Sequence, residues 1–492
     1  MKYIFSHLTA LLLAPQRKRF LTGKRLLTLL TSVFGLTASA FAEPPAFPLK
    51  ISADGRHLVD RNWKPFLVVG DSPWSLIVEP TPAQTDRYLD DRAAKGFNVL
   101  LVNLIEHKFS TQPPKLRDGT APLSTPGDFA TPNDAYFDYA EQVVGKAAKR
   151  GLAVLLCPAY LGYGGGDDGF FQDMLRNGRE KIRDYGRYVG GRFRDHPNVV
   201  WIVGGDFTPP PDQRWTVDVL AAGIRQADGN RLMTVHYGPN TVAAADYGDR
   251  TWLNLNSVYN YREDLYVPCL DEDARSPRLP YFLLETAYEG EHNASPARIR
   301  RQAYWPLLCG AFGALYGNSP VWHFGSRGVY DRGGDWVASL NSRGAQDMAR
   351  LAAFFRNRPW WLLRPDREHE VVTDGYGTSG NTDYVTAARA VDGRLALAYV
   401  PATGASRRKL TVDLGRLAGP ITARWFDPTD GRYVAIAGSQ FASRVAHVFE
   451  TPGENGSGDN DSMLVLEAPG ARKDGDQLKT CRNRKAVAEE PP

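Results

Sequence analysis

Between residues 66 and 317 the sequence alternates eight short apolar segments with longer charged, amphipathic ones. The apolar segments are five to eight residues long and rich in β-branched side chains, and the segments between them carry apolar residues at helical spacing. Eight strands joined by helices favour a (β/α)₈ barrel, because parallel strands need long crossover connections. The predicted strands are 66–70, 97–104, 152–157, 198–204, 231–236, 252–258, 281–285 and 312–317.

The connecting segments predict helices, although the interval between the fifth and sixth strands is short and its helical pattern is weak. Ahead of the first strand, Asp54-Gly55 lies between alternating apolar positions and predicts a hairpin that plugs the bottom of the barrel. The predicted helices are 83–95, 135–150, 179–194, 213–227, 295–309 and 343–357.

After Pro365 the pattern changes to strand-like alternation with Gly and Asp-Gly turns, which predicts a small antiparallel β-sandwich of about 100 residues. The fold class is therefore α/β, a (β/α)₈ barrel followed by a C-terminal β-sandwich. We expect the barrel domain to span residues 43–365 and the sandwich 366–469. Residues 470–492 are polar and lack an apolar pattern, which predicts a disordered tail.

The first 42 residues have the pattern of a bacterial secretory signal peptide. They contain six basic and no acidic residues, and an apolar run ends in Ala40-Phe41-Ala42, which predicts cleavage after Ala42. The stretch RKRFLT resembles a twin-arginine signal with Lys18 in place of one arginine, so the export route stays open. We expect a secreted or periplasmic protein.

Charge and cysteine content exclude several classes of function. Cleavage would leave 53 basic and 55 acidic residues, a net charge of about −2, which argues against a nucleic-acid partner. The four scattered cysteines form no disulfide framework or zinc spacing, so neither a metal nor a cofactor is predicted. No later apolar run is long enough to span a membrane, and the oligomeric state is not indicated.

Polar and aromatic residues follow every predicted strand. In a (β/α)₈ barrel the loops after the strands build the active site, so these side chains are expected to converge on one pocket. Carboxylates beside aromatic rings suit a carbohydrate, which presents hydroxyl edges and C–H faces. The candidates are Asp71, Trp74, Asn103, Glu106, His107, Tyr160, Asp206, His236, Tyr259, Glu285, Trp322 and His323.

Cleavage of a glycosidic bond requires two carboxyl groups, one protonated and one ionised. Asp206 ends the fourth strand in VGGDF and Glu285 ends the seventh in LLETAYEG, whereas Glu289 and Glu291 lie further out in the loop. The alternatives are a helix cap for Asp206 and a structural salt bridge to an arginine for Glu285. The two glycines before Asp206 would allow close approach of a substrate ring or of neighbouring backbone.

Each other candidate also has a structural alternative. Asp71 is either a helix cap or a binding residue, and Glu106-His107 either faces the pocket or lies in solvent. His236 is either a core histidine or a ligand contact. The aromatic candidates, Trp74, Tyr259 and Trp322 among them, are either sugar platforms or part of the barrel rim.

Four separate blocks in order, KPFLVVGDSPWSLI, YLDDRAAKGFNVLLVNLIEH, HPNVVWIVGGDF and PYFLLETAYEG, resemble the apiosidase-like glycoside hydrolases. The resemblance covers residues 47–460 and includes a C-terminal β-module that often carries a collagen-binding label. It implies a retaining mechanism with Asp206 as general acid/base and Glu285 as nucleophile. The two carboxyl groups would then lie about 5–5.5 Å apart.

Two other classes of protein compete with this interpretation. A non-catalytic exported carbohydrate-binding protein on a barrel scaffold would keep the aromatic residues without needing both carboxylates. An esterase or amidase would need a nucleophile elbow or a Cys/His pair, and neither stands out in the sequence. The sequence therefore predicts an exported glycoside hydrolase that acts on plant or microbial oligosaccharides.

Overall fold

The computed structural model describes residues 44–471 except 230, 329–332, 405–406 and 443–444. The predicted signal peptide and its cleavage site, and all but the first two residues of the predicted tail, lie outside the described residues.

Eight parallel strands form the barrel, and all eight overlap the predicted ones. Neighbouring strands pair in parallel register, and the eighth pairs with the first, Leu315 opposite Gly70 and Tyr316 opposite Asp71. The strands in chain order are Val68–Asp71, Val99–Asn103, Ala153–Cys157, Val199–Gly204, Met233–His236, Asn256–Tyr259, Tyr281–Glu285 and Gly313–Tyr316.

The barrel closes between the fifth and sixth strands through individual hydrogen bonds rather than a regular ladder. Backbone N–H groups of Asn254 and Leu255 donate to the Met233 carbonyl, each at 3.2 Å. The hydroxyl of Ser257 donates to the Val235 carbonyl at 2.7 Å. A short strand, Thr241–Val242, pairs antiparallel with the sixth strand on its outer side. The weak pattern in this interval corresponds to a five-residue helix, Ala243–Tyr247.

Five of the described helices begin after a residue whose side chain accepts a hydrogen bond from one of the first free amide groups. Thr81 and Gln84 form a reciprocal capping box, and Ser295 accepts a hydrogen bond from the backbone N–H of Arg298. The span Phe171–Arg192 consists of two helical segments that meet at a kink at Gly178, whose φ +71° and ψ 178° are not helical. The predicted helix 179–194 corresponds to the segment after this kink. None of the described helices is both long and apolar enough to cross a membrane. The helices are Pro82–Ala94, Asp134–Lys149, Phe171–Arg192, Trp215–Asp228, Ala243–Tyr247, Tyr266–Ala274, Pro296–Leu308, Trp336–Ser339 and Arg343–Arg356.

An N-terminal antiparallel sheet closes the bottom of the barrel, as the sequence predicts. Its strands are Lys50–Ile51, Leu58–Val59 and Pro65–Phe66. Leu58 and the neighbouring Leu49 pack against inward-facing strand residues such as Leu155 and Phe282. The barrel interior is therefore filled by an apolar core at this end.

The C-terminal region folds into two antiparallel sheets that enclose an apolar layer. The larger sheet has six strands and the smaller has three, which confirms the predicted sandwich architecture. Leu363–Pro365, at the end of the predicted barrel domain, already pairs within the larger sheet. In spatial order the larger sheet contains Leu363–Pro365, Thr386–Ala390, Leu395–Val400, Ser462–Glu467, Ile421–Phe426 and Tyr433–Phe441, and the smaller Val372–Asp374, Lys409–Asp413 and Ala446–Glu450.

The larger sheet also packs against two barrel helices through its outer face. Tyr399 stacks on Tyr304 with ring centroids 5.0 Å apart, and Phe426 lies 4.5 Å from Phe354. The fully buried guanidinium of Arg300 reaches across this contact and bonds both carboxylate oxygens of Asp461 at 2.7 Å. Because both faces of the sheet are covered, its central strands are buried at every position rather than at alternate ones.

Candidate active site

The fourth barrel strand ends in a strained turn that presents Asp206. This residue has φ +32°, a value that non-glycine residues rarely adopt. Its backbone N–H donates to Nδ1 of His236 at 2.7 Å, and its Oδ2 accepts a hydrogen bond from the Tyr160 hydroxyl at 3.0 Å. Asp206 therefore does not cap the following helix, which begins at Trp215 without a side-chain cap.

The two glycines before Asp206 give room to the protein itself. A Cβ on Gly204 would lie 2.2 Å from the His236 carbonyl oxygen, and one on Gly205 would lie 2.4 Å from Cδ2 of Tyr160. The sequence left open whether the glycines make room for a substrate ring or for neighbouring backbone. The structure shows that they make room for neighbouring segments of the protein. The glycines let Asp206 and Tyr160 meet.

Glu285 ends the seventh strand, buried at 7 % exposure. Its Oε2 lies 2.7 Å from Nε2 of His236, so its partner is a histidine and not the arginine of the structural alternative. Burial is the largest influence on the pKa of Glu285 and raises it, while hydrogen bonds from His236 and Tyr288 act in the opposite direction.

His236, at the end of the fifth strand, connects the two carboxyl-bearing residues. An amide N–H can only donate, so Nδ1 must be the acceptor toward Asp206. The proton of the neutral ring therefore lies on Nε2, where it is donated to the Glu285 carboxylate. The aromatic rings of Trp74 and Tyr259 enclose the imidazole at centroid distances of 5.4 and 5.0 Å.

Both carboxyl groups open into one cavity of about 500 Å³ at the carboxyl end of the barrel. This size is within the range of small-molecule sites. Six of the predicted residues line it together with eight others. The lining consists of Trp74, Phe109, Tyr160, Tyr163, Asp206, Pro239, Asn240, Tyr259, Tyr261, Glu285, Tyr288, Glu291, His292 and Trp322.

Six predicted binding residues do not line this cavity. One is His236, which is buried and contacts Glu285 and the Asp206 turn, and for Asp71 the structure gives a clear reason. Its carboxylate accepts a hydrogen bond from the Tyr88 hydroxyl at 2.7 Å and pairs with Nε of Arg92 at 3.1 Å, all of them buried. Burial raises the pKa of Asp71 and the Arg92 charge opposes that rise. Asp71 thus fixes the first helix to the barrel, which corrects its assignment as a binding residue.

The other four are also absent from the cavity lining. Asn103 and Glu106 are almost fully buried, and burial raises the pKa of Glu106 to about 7. His107 packs edge-on against Phe170 with centroids 4.8 Å apart. His323 is buried against Trp322, 4.6 Å away. These side chains support the loops around the site rather than form its surface.

The cavity residues that sequence reasoning missed lie further along the loops than the first residue after each strand. Tyr288 accepts a hydrogen bond from Nε1 of Trp74, and Glu291 accepts one from Nε1 of Trp322, both at 3.0 Å. Glu289, two residues earlier, instead accepts hydrogen bonds from the loop after the eighth strand and from the backbone N–H of Gly344. The fold of this loop thus gives Glu289 a structural role and turns Glu291 toward the cavity.

In the described part of the chain, no group of three or more His, Cys, Asp or Glu side chains is placed to hold a metal ion. The three described cysteines, Cys157, Cys269 and Cys309, are buried and free.

Two family models match the sequence. The family model described as apiosidase-like, catalytic domain, matches residues 52–362. The chain belongs to the apiosidase-like family. Its barrel is therefore that of a glycoside hydrolase, whose substrates are carbohydrates. A second model, described as a putative collagen-binding domain of a collagenase, matches residues 365–467 of this apiosidase-like protein.

Solved structures share the fold over nearly the whole chain. A glycoside hydrolase is 24 % identical, with a TM-score of 0.74 over 86 % of this chain and 97 % of its own. A family 5 glycoside hydrolase from Bacteroides vulgatus ATCC 8482 is also 24 % identical, with a TM-score of 0.73 over 87 % and 93 %. No curated protein matches the sequence.

Proposed function

We propose that this apiosidase-like protein is an exported retaining glycoside hydrolase, with Asp206 as general acid/base and Glu285 as nucleophile. Its substrates are oligosaccharides derived from plant or microbial polysaccharides, and the family suggests apiosides among them. The observation that carries the proposal is the contact of one neutral imidazole, His236, with both the Asp206 turn and the Glu285 carboxylate.

The contacts of Glu285 suit a nucleophile. A carboxylate attacks only when it is ionised, and burial at this position opposes ionisation. The Nε2–H of His236 donates to Oε2 and stabilises the negative charge without adding a positive one. The Nδ1 contact fixes this tautomer, so the ring presents a donor to Glu285 and not an acceptor.

The contacts of Asp206 suit a proton donor that later becomes a base. Its Oδ2 is held by the Tyr160 hydroxyl, while its Oδ1 is buried and has no hydrogen-bond partner among the described residues. Asp206 lines the same cavity as Glu285, so a substrate bound there would lie against both residues. The residue is presented by a strained backbone with φ +32°.

The reaction then proceeds in two displacements. In the first, a Glu285 oxygen bonds to the anomeric carbon as the bond to the leaving oxygen breaks, and the proton of Asp206 passes to that oxygen. In the second, Asp206 takes a proton from water while the water oxygen bonds to the anomeric carbon. The ester bond to Glu285 breaks, which restores both carboxyl groups and retains the anomeric configuration.

The test is a screen of the purified protein against plant cell-wall oligosaccharides and 4-nitrophenyl glycosides, the apioside included. Glu285→Ala should lose turnover of any cleaved substrate by a factor of about 10⁴ or more, as expected when a nucleophile is lost. Asp206→Ala should retain more activity on the nitrophenyl glycoside than on the oligosaccharide, because nitrophenolate leaves with little help from an acid.

Azide supplies a more specific readout. It should restore turnover to Asp206→Ala and give a glycosyl azide of retained configuration, since azide needs no general base. Asp212→Ala, an exposed carboxylate in the same loop, is the matched control and should behave as wild type. Normal turnover by both active-site variants would refute the assignment. Sugar binding without turnover by the wild type would favour the carbohydrate-binding protein instead.

A further inference from the structure

One side chain of the cavity, Tyr163, is far more exposed than the other Trp, Tyr and Phe residues that line it. Six of its aromatic residues, Trp74, Phe109, Tyr160, Tyr259, Tyr288 and Trp322, are only 3–7 % exposed. Tyr163 is 65 % exposed, the largest value among the exposed large hydrophobic residues of the described chain. Its ring lies at the rim of the cavity, where solvent has access to it.

The loop that carries Tyr163 is attached to the turn of Asp206. The backbone N–H of Gly164 donates to the Asp206 carbonyl at 3.2 Å. A Cβ on Gly165, which has φ +70°, would lie 2.8 Å from Cε1 of Phe207, the residue after Asp206. The backbone N–H of Tyr163 itself donates to Oδ1 of Asp168 at 3.0 Å. The backbone is therefore fixed, although the ring is free of close packing.

This attachment places the ring on a chemically defined side of the cavity. The general acid gives its proton to the leaving oxygen, so the group bonded to that oxygen lies beside Asp206. An exposed aromatic ring on the same side offers a flat surface to the C–H face of a sugar or to an aryl group. The buried aromatic residues, of which Tyr288 hydrogen-bonds Glu285, would then enclose the sugar that Glu285 attacks.

We infer that Tyr163 is the platform of the subsite that binds the leaving group, and that this subsite favours substrates whose leaving group is a ring. The inference rests on the proposed function, because it needs Asp206 to act as the acid. It adds a specificity-determining residue that the assignment of the two carboxyl groups leaves open, namely the side chain that holds the leaving group.

The experiment compares two probes with the same sugar and different leaving groups. 4-Nitrophenyl apioside carries a ring on the leaving oxygen, and apiosyl fluoride carries none; the matching pair is used for any other sugar that the screen identifies. Because kcat/KM covers the steps up to departure of the leaving group, it reports contacts with that group. The variants are Tyr163→Ala and Tyr163→Phe, with Trp63→Ala, 59 % exposed and next to the N-terminal sheet, as the control.

We expect Tyr163→Ala to lower kcat/KM about five- to tenfold for the nitrophenyl probe and less than about twofold for the fluoride. Tyr163→Phe and Trp63→Ala should match the wild type on both probes. An equal loss on the two probes, or no loss on either, would overturn the inference while the proposed function stands. Failure of the wild type to cleave either probe or any glycoside in the screen would refute the proposed function, and the inference with it.

Discussion

Replacement of His236 tests the proposed site most directly, because this side chain contacts the Asp206 turn through one ring nitrogen and Glu285 through the other. Three substitutions separate the two contacts. His236→Asn keeps an acceptor near the position of Nδ1, His236→Gln keeps a donor near the position of Nε2, and His236→Phe keeps neither. All three are compared with the wild type in pH profiles of kcat/KM.

The expected magnitude follows from the contact with Glu285. A hydrogen bond to a charged group contributes about 1.5–3 kcal/mol, so its loss reduces the ionised fraction of Glu285 about 10- to 150-fold at acidic pH. Burial raises the pKa of Glu285 and His236 opposes that rise, so loss of the imidazole raises the pKa further. The nucleophile must be ionised, and the acid limb of kcat/KM therefore moves to higher pH.

His236→Asn and His236→Phe should show this displacement, whereas His236→Gln should keep an acid limb close to that of the wild type. His57→Phe, at the bottom of the barrel against Trp360, controls for the loss of a buried histidine and should leave the profile unchanged. Thermal unfolding of each variant confirms that it is folded. The same acid limb in His236→Asn and His236→Gln would contradict the assignment of Glu285 as the ionised partner.

Three further predictions concern the scaffold. Gly205→Ala should push Tyr160 away from Asp206 and lower kcat/KM by about 100-fold. Gly145→Ala is the control, because its Cβ would meet open space, and it should stabilise its helix by about 0.5–1 kcal/mol. Equal activity of the two variants would contradict the steric argument. Arg300→Leu should lower the free energy of unfolding in urea by about 3–5 kcal/mol, because it leaves the Asp461 carboxylate buried without the positive charge that pairs with it. Arg343→Ala, at a more exposed arginine, should lower it by less than about 1 kcal/mol. Burial raises the pKa of Glu106 to about 7, so the folded state binds this proton more tightly than the unfolded state does. The free energy of unfolding should therefore fall as the pH rises from about 4.5 to about 7. Glu106→Gln should remove that slope, and an unchanged slope in thermal melts would refute the explanation.

Sequence reasoning located the barrel because its evidence is local. Each strand is a short apolar run and each long helix has a helical repeat of apolar residues, so both patterns lie within about 15 consecutive positions. Parallel strands in a barrel all end on the same side, which brought Asp206 and Glu285 to one cavity. The C-terminal sandwich followed from the same kind of local alternation.

Residues such as Tyr163 and Glu291 were missed because their directions depend on how the loops fold back. Glu289 and Glu291 are two positions apart in one loop, yet one bonds the backbone of Gly344 and the other faces the cavity. The difference arises from contacts with the eighth strand and its loop, far along the chain.

The sequence by itself determined the order of the strands and helices, and therefore which strand ends meet. Only the tertiary structure decided which of the polar residues at those ends bond within the protein and which face a substrate. Asp71 pairs with Arg92 from the next helix, whereas Asp206 lines the cavity. The physical reason is that a buried polar group must find a hydrogen-bond partner, and the partner is supplied by whichever distant segment packs beside it.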